Sequence, residues 1–179
     1  MVKGQIISCS SNLYIVQAES ETIECNIKGK FKQIDEKPIV GDFVEIEKLQ
    51  NEEAKGVICR ILPRKSLCKR PKIANLDQII LVVSLKTPKP DFLLLDKQLA
   101  YIEYLGLKPI ICINKIDLCS KEAIENIHKI YGKIGYTVIN TNAKEGKGIN
   151  EIEKILKGRV TALSGNSGVR KIYFNKCHI

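Results

Sequence analysis

Asn114, Lys115, Ile116 and Asp117 stand directly behind the apolar run "PIICI" and carry the most specific chemistry in the sequence. A carboxylate at Asp117 can accept from two N–H donors at once, the pair that guanine presents through N1–H and its exocyclic amine. Adenine offers no such pair and would leave the carboxylate unpaired, a larger penalty than a lost apolar contact. Asn114 can donate to N7, and the stem of Lys115 can lie across the base. A second stretch, "TNAKEGKG", follows the apolar run "YTVI". There a main-chain amide at Ala143 or Lys144 can approach the base O6, and Asn142 stands where serine is more usual. A surface turn rich in Asn and Asp is the alternative reading of the first stretch, and an ordinary loop that of the second.

A third stretch, Gly165 to Ile172, begins like a phosphate-binding loop. Such a loop needs G-x-x-x-x-G-K-[ST], with glycines that let amides converge on phosphate, a lysine that neutralises it and a hydroxyl that binds Mg²⁺. Gly165, Asn166, Ser167, Gly168, Val169 and Lys171 fit. Arg170 occupies the final glycine position, bringing a β-carbon and a bulky cation where the backbone must turn tightly. Ile172 occupies the hydroxyl position and cannot ligate magnesium. The loop as written is expected to bind triphosphate poorly, and no residue is assigned a catalytic or metal-binding role.

The elements that must position these loops alternate in type. "DQIILVVS" is a nearly unbroken apolar run, as expected for a parallel strand covered on both faces. "PDFLLLDKQLAYIEYLG" has Leu95, Leu99, Ile102 and Leu105 at helical spacing, with Asp91 as a cap and Gly106 at the stop. "KPIICIN" is the next strand, and "SKEAIENIHKIYGKIG" the next helix, with Ile124, Ile127, Tyr131 and Ile134 inward. "YTVIN" predicts a strand, "GINEIEKILKG" a helix and "RVTALS" a strand running into Gly165. The order β-α-β-α-β-α-β implies an open parallel sheet with helices on both faces. In such sheets the functional loops lie at the carboxyl ends of strands, where all three stretches fall.

The first 63 residues have a different rhythm. "NLYIVQA", "TIECNI", "FVEIEKL" and "GVICRIL" alternate apolar and polar residues between turn-forming pieces, and five short strands in about 60 residues suggest a small antiparallel barrel. An OB-like barrel is the natural candidate, and such barrels commonly bind single-stranded or structured RNA. The net charge of +9 is uneven. Residues 64–72, "RKSLCKRPK", hold five bases and no acid. Arg64, Lys65, Lys69, Arg70 and Lys72 are therefore candidate phosphate contacts, against the plainer alternative of a solvated linker. The expected division is a barrel over 1–63, a basic linker over 64–72 and an α/β domain over 73–179.

No apolar run approaches the roughly 18 residues of a membrane span, and the start lacks the apolar stretch of a secretory signal. Seven scattered cysteines form no CxxC pair. They read as reduced, mostly small core residues of a cytoplasmic chain.

The order of the motifs is itself informative. In ordinary GTPases the phosphate loop comes first and the guanine motifs last; here the base-reading loops precede it. A small barrel, then "KRP", "NKID" and "GNSGV" closely resembles the small ribosomal subunit biogenesis GTPases of the RsgA (YjeQ) family, over residues 1 to about 169. "LPRKSLCKRPKIANLDQIILVVS" is the most family-specific stretch outside the loops. The resemblance implies an N-terminal OB-like barrel that binds ribosomal RNA and an α/β P-loop GTPase domain, circularly permuted and with an incomplete parallel sheet. It implies GTP with Mg²⁺ as cofactor in the intact family, and the 30S subunit with its 16S rRNA as partner of a monomeric protein without membrane attachment. Family members continue with switch loops and a Cys/His zinc domain. Neither is expected in this chain, where Cys177 and His178 do not replace a zinc site.

One possible coding of residues 170–179 reads GKSTLINAI when its first base is deleted. This restores the missing glycine, lysine and hydroxyl. The expectation is a frameshifted, prematurely ended chain that does not hydrolyse GTP. An RNA-binding module with a vestigial nucleotide domain is the alternative. A conventional signalling GTPase is disfavoured by the motif order and the barrel.

Overall fold

The computed structural model describes residues 1–19, 21–27, 37–49, 54–69 and 72–169, and divides into two compact units, Met1–Leu76 and Asp77–Ile179. In the first unit, alternation builds five strands: β1 (Val2–Ser10), β2 (Leu13–Ala18), β3 (Thr22–Ile27), β4 (Phe43–Lys48) and β5 (Lys55–Ile61). They close into a barrel in the order β1-β2-β3-β5-β4. The β3–β5 pair is parallel and the others antiparallel. Closure leaves no unpaired edge to recruit another chain. Val44 and Ile46 point inward and are fully buried, joining Ile6, Val16, Ile23 and Ile58, while Phe43 and Glu47 point out. Burying each such Ile or Val contributes about 1.5–3 kcal/mol. Register shifts on β1 between Ile6 and Ser8, and on β4 between Glu45 and Ile46, supply the bends that closure needs.

The basic stretch differs from the expected linker, because its described residues belong to the first unit. β6 (Leu67–Lys69) and β7 (Lys72–Ala74) form an antiparallel hairpin. Two buried polar ties hold it to the barrel. Arg64 donates from Nε to Asp42 Oδ1 at 2.6 Å and from an η nitrogen to Asp42 Oδ2 at 2.8 Å. The Asp42 carboxylate is fully buried and also accepts from the Ile39 amide. Asn75, buried and with φ +56, accepts from the Lys65 amide and donates to the Gly41 carbonyl. Gly41 must be glycine: at φ +90, a β-carbon would lie 2.1 Å from the Ala74 carbonyl oxygen. The sequence signal here was charge, which says where water is tolerated and nothing about which acid lies opposite.

In the second unit, β8 (Gln78–Ser84), β9 (Lys108–Asn114), β10 (Thr137–Asn140) and β11 (Thr161–Ser164) form a parallel sheet in the order β10-β9-β8-β11. The helices α1 (Phe92–Tyr104), α2 (Lys121–Ile127) and α3 (Ile149–Leu156) connect them. The Asp91 side chain accepts from the Leu94 amide and caps α1, whose Leu95, Leu99 and Ile102 are buried. Ile127 and Tyr131 are buried as the spacing of the next helix predicts, but Ile134 is 68% exposed. The reason is a π-type turn over His128–Gly132. It widens the helix by one residue and rotates the residues after it off the buried face.

Cys25, Cys68 and Cys112 are buried, Cys59 and Cys119 are partly exposed, and Cys9 lies exposed at the end of β1. Burial pushes the Cys112 thiol up to about 12, against a smaller lowering by the Thr141 hydroxyl, and that of Cys25 up to about 11. Both are packing residues rather than nucleophiles. Cys177 falls outside the described residues. Among those described, no helix is long and apolar enough to cross a membrane.

Candidate nucleotide-binding site

The chain order runs β8, β9, β10 outward from the centre, and α3 then returns it to the other side of β8. The direction of winding therefore switches between β8 and β11. Open parallel sheets bind ligands outside the carboxyl ends of strands at such a switch. A cleft lies there, lined among others by Ser84, Pro88, Asp91, Leu94, Gly165 and Val169.

Asn114, the last residue of β9, ties the three candidate loops together. Its side chain is fully buried. Its Oδ1 accepts from the Lys115 amide at 2.9 Å and the Ala143 amide at 3.0 Å, and lies 3.2 Å from the Thr141 hydroxyl. Its Nδ2 donates to the Val169 carbonyl at 2.9 Å. One carboxamide thus fixes the loop after β9, the loop after β10 and the loop after β11. Such a buried carboxamide is stable only when both ends are satisfied. Sequence reasoning assigned Asn114 a contact to the base and did not anticipate this joining role. A side chain so short, at the mouth of three strands, was the available signal.

Lys115 adopts the left-handed conformation at φ +61, and its Nζ donates to the Thr87 carbonyl at 2.7 Å. This draws in a fourth loop, after β8, whose turn is capped by the Ser84 hydroxyl accepting from the Thr87 amide. Asp117 sits exposed in a single 3₁₀ turn, Ile116–Leu118, so its carboxylate faces solvent. In the loop after β10, Thr141, Asn142 and Ala143 are buried and Lys144 is exposed. Thr141 was not singled out from sequence. Its amide bonds the Ile113 carbonyl at 2.7 Å and its carbonyl accepts from the Ile116 amide, zipping this loop to the one after β9.

The phosphate-like loop leaves β11 at Gly165, which has φ +149. A β-carbon there would come within 2.2 Å of the Val82 carbonyl oxygen, so the loop can hug β8 only with glycine. Asn166, Ser167 and Gly168 are exposed above the sheet, while Val169 plugs the core among Ile80, Val82, Ile110 and Cys112. Arg170, Lys171 and Ile172 fall outside the described residues. Of the basic candidates in the first unit, Lys65, Lys69 and Lys72 are exposed, and Lys69 and Lys72 are paired across the hairpin. Arg64 is committed to Asp42, and Arg70 lies outside the described residues.

The NKID stretch behind β9 and the TNAK stretch behind β10, followed by the GNSGV stretch behind β11 and preceded by a closed five-stranded barrel, fit a circularly permuted GTPase fold with an OB-like N-terminal domain. The sequence model described as RsgA GTPase matches residues 61–174, and that described as RsgA N-terminal domain matches residues 3–58. The chain belongs to the RsgA GTPase family. The small ribosomal subunit biogenesis GTPase RsgA of Caldanaerobacter subterraneus subsp. tengcongensis is 38% identical, over 95% of this chain and 57% of the relative. That of Clostridium botulinum strain Eklund 17B is 42% identical, over 95% of this chain and 58% of the relative. The crystal structure of YjeQ from Thermotoga maritima superposes with a TM-score of 0.86 at 35% identity, covering 98% of this chain and 64% of that one. That of YloQ, a circularly permuted GTPase, gives 0.82 at 33% identity, covering 94% of this chain and 61% of that one. The chain thus spans somewhat over half the length of the curated relatives it matches.

Proposed function

We propose that this chain binds guanine nucleotide through its second unit and ribosomal RNA through its first, and that it acts in the cytoplasm on the maturing 30S subunit as a monomer. The observation that carries the nucleotide half is the Asn114 carboxamide, which holds three strand-end loops in one constellation while leaving the Asp117 carboxylate open. Asp117 reads N1–H and the exocyclic amine. The Lys115 stem flanks the base, and the second hydrogen on Asn114 Nδ2 remains for N7. Gly165 to Val169 cradle the phosphates, with Lys171 as their counter-charge. The magnesium ion that such loops use is held through a hydroxyl, and Ile172 offers none. Arg170 stands in the sequence where the phosphate-loop pattern has its last glycine. Turnover of GTP by this chain is therefore expected to be undetectable.

The RNA half rests on the hairpin. Lys69 and Lys72 are exposed, directly opposed, and hold no acidic partner among the described residues. Like charges facing each other across a pair of strands destabilise it, and an anionic phosphate between them reverses that cost. Replacing both by glutamine should lower the slope of log affinity for 16S rRNA fragments against log salt by roughly 1.4–1.8, two single-strand to duplex phosphate contacts. Arg64→Gln, by contrast, should act through the folding stability of the first unit, because it strands the buried Asp42 carboxylate. An unchanged salt slope in the double lysine variant would remove the hairpin from the RNA interface.

A further inference from the structure

We infer that His128 is a positioning residue for the loop after β10, holding the stem of that loop through the side chain of Asn140. This rests on the guanine reading of the site given above and adds to it a residue that touches no ligand. The π-type turn over His128–Gly132 gives the first sign. Such turns are rare and frequently sit at functional sites. Two side chains of this one are anchored in different places. Tyr131 donates from its hydroxyl to Asp96 Oδ1 on α1 at 2.8 Å. His128 Nε2 lies 2.9 Å from Oδ1 of Asn140, the last residue of β10. With an amide oxygen facing it, Nε2 carries the hydrogen and donates. The turn thus braces the end of β10 against α1.

The end of β10 has reason to need a brace. Among the described residues β10 is an edge strand, only four residues long and paired with β9 alone. Local opening is cheapest where such bonds are fewest. The loop that follows is a closed unit standing on Asn140. The Asn142 amide donates to the Lys147 carbonyl at 3.0 Å, and the Lys147 amide returns to the Asn142 carbonyl at 3.2 Å. At the far end Gly148 has φ +76, and a β-carbon there would lie 2.1 Å from the Asn140 carbonyl oxygen. A swing at Asn140 therefore moves the whole loop. It carries the Ala143 amide away from Asn114 Oδ1 and the Thr141 carbonyl away from the Ile116 amide. The His128 bond is the one hydrogen bond of the Asn140 side chain among the described residues, and it acts outside the strand ladder. A loop that spends part of its time displaced binds ligand more weakly, in proportion to the fraction left in place.

The test uses variants of the full 179-residue chain and two readouts, affinity for fluorescent GDP and hydrogen exchange without ligand. His128→Phe keeps the ring and loses the donor. His128→Gln places an amide donor where Nε2 stands, and His128→Asn is one bond too short to reach. The Phe and Asn variants should bind GDP about fivefold more weakly, the worth of one hydrogen bond, and the Gln variant should match the wild type. Asn140→Ala should cost the same, and adding it to His128→Phe should cost nothing more, because both remove a single bond. In ligand-free His128→Phe, exchange at the Asn142 and Ala143 amides should quicken about fivefold while amides in the middle of β8 keep their rates. A Gln variant as weak as Phe, or additive losses with Asn140→Ala, would overturn the role of this bond. Unchanged exchange at Asn142 and Ala143 would overturn the positioning itself, whatever GDP does. A wild-type chain that binds no GDP, with exchange behaving as expected, would instead overturn the guanine reading and the ligand half of this inference.

Discussion

Asn114→Ala should abolish nucleotide binding and loosen the second unit even without ligand. The substitution leaves the Ala143 and Lys115 amides and the Val169 carbonyl without the partner they now share. Each buried group left unsatisfied costs about 1–3 kcal/mol, so a loss of at least about 3 kcal/mol is expected. That is a large share of the stability of a domain of this size. The damage should also be localised. Hydrogen exchange at Lys115 and Ala143 should accelerate by orders of magnitude, while amides in the middle of β8 change far less, because the Ile80 and Val82 packing is untouched. Uniform acceleration throughout the sheet, or none at Ala143, would show that the loops do not depend on this carboxamide.

Asp117→Asn should reverse base selectivity with little effect on folding. The residue is exposed and makes no side-chain hydrogen bond or ion pair among the described residues. In the proposed complex its carboxylate accepts from two donors of guanine, and charge-assisted bonds contribute about 1.5–3 kcal/mol each. Removing both should lower guanine affinity by roughly 10²–10⁴. Xanthine carries a carbonyl where guanine carries the exocyclic amine, and the new amide can donate to it. Xanthosine diphosphate should therefore bind the variant better than GDP does. Competitive displacement of a fluorescent GDP by the two nucleotides measures this. Equal weakening for both bases would mean that Asp117 holds the loop rather than reads the base.

The loop after β9 was legible in the sequence because it follows a nearly continuous apolar run. The loops after β10 and β11 follow shorter, mixed runs, whose strand reading rested on the alternation of strands and helices along the chain. The capping of α1 by Asp91 and the burial of Leu95, Leu99 and Ile102 were legible from local spacing. Long-range pairing was not legible. Nothing near Arg64 in the chain announces Asp42, 22 residues earlier. The Asn114–Val169 bond likewise spans 55 residues. The π-type turn that exposes Ile134 was hidden because its sequence, "HKIYG", keeps an ordinary helical rhythm. Asn142 first drew notice as a departure from serine; it is buried, and its Oδ1 accepts from the Lys144 amide within its own loop.

The most direct test of the guanine site is equilibrium binding of GDP and ADP to the wild-type chain, followed by displacement of a fluorescent GDP at matched magnesium and salt. A carboxylate that reads two donors should favour GDP by at least about a hundredfold. A chain that binds ADP as tightly as GDP, or binds neither, would contradict a guanine-reading role for Asp117.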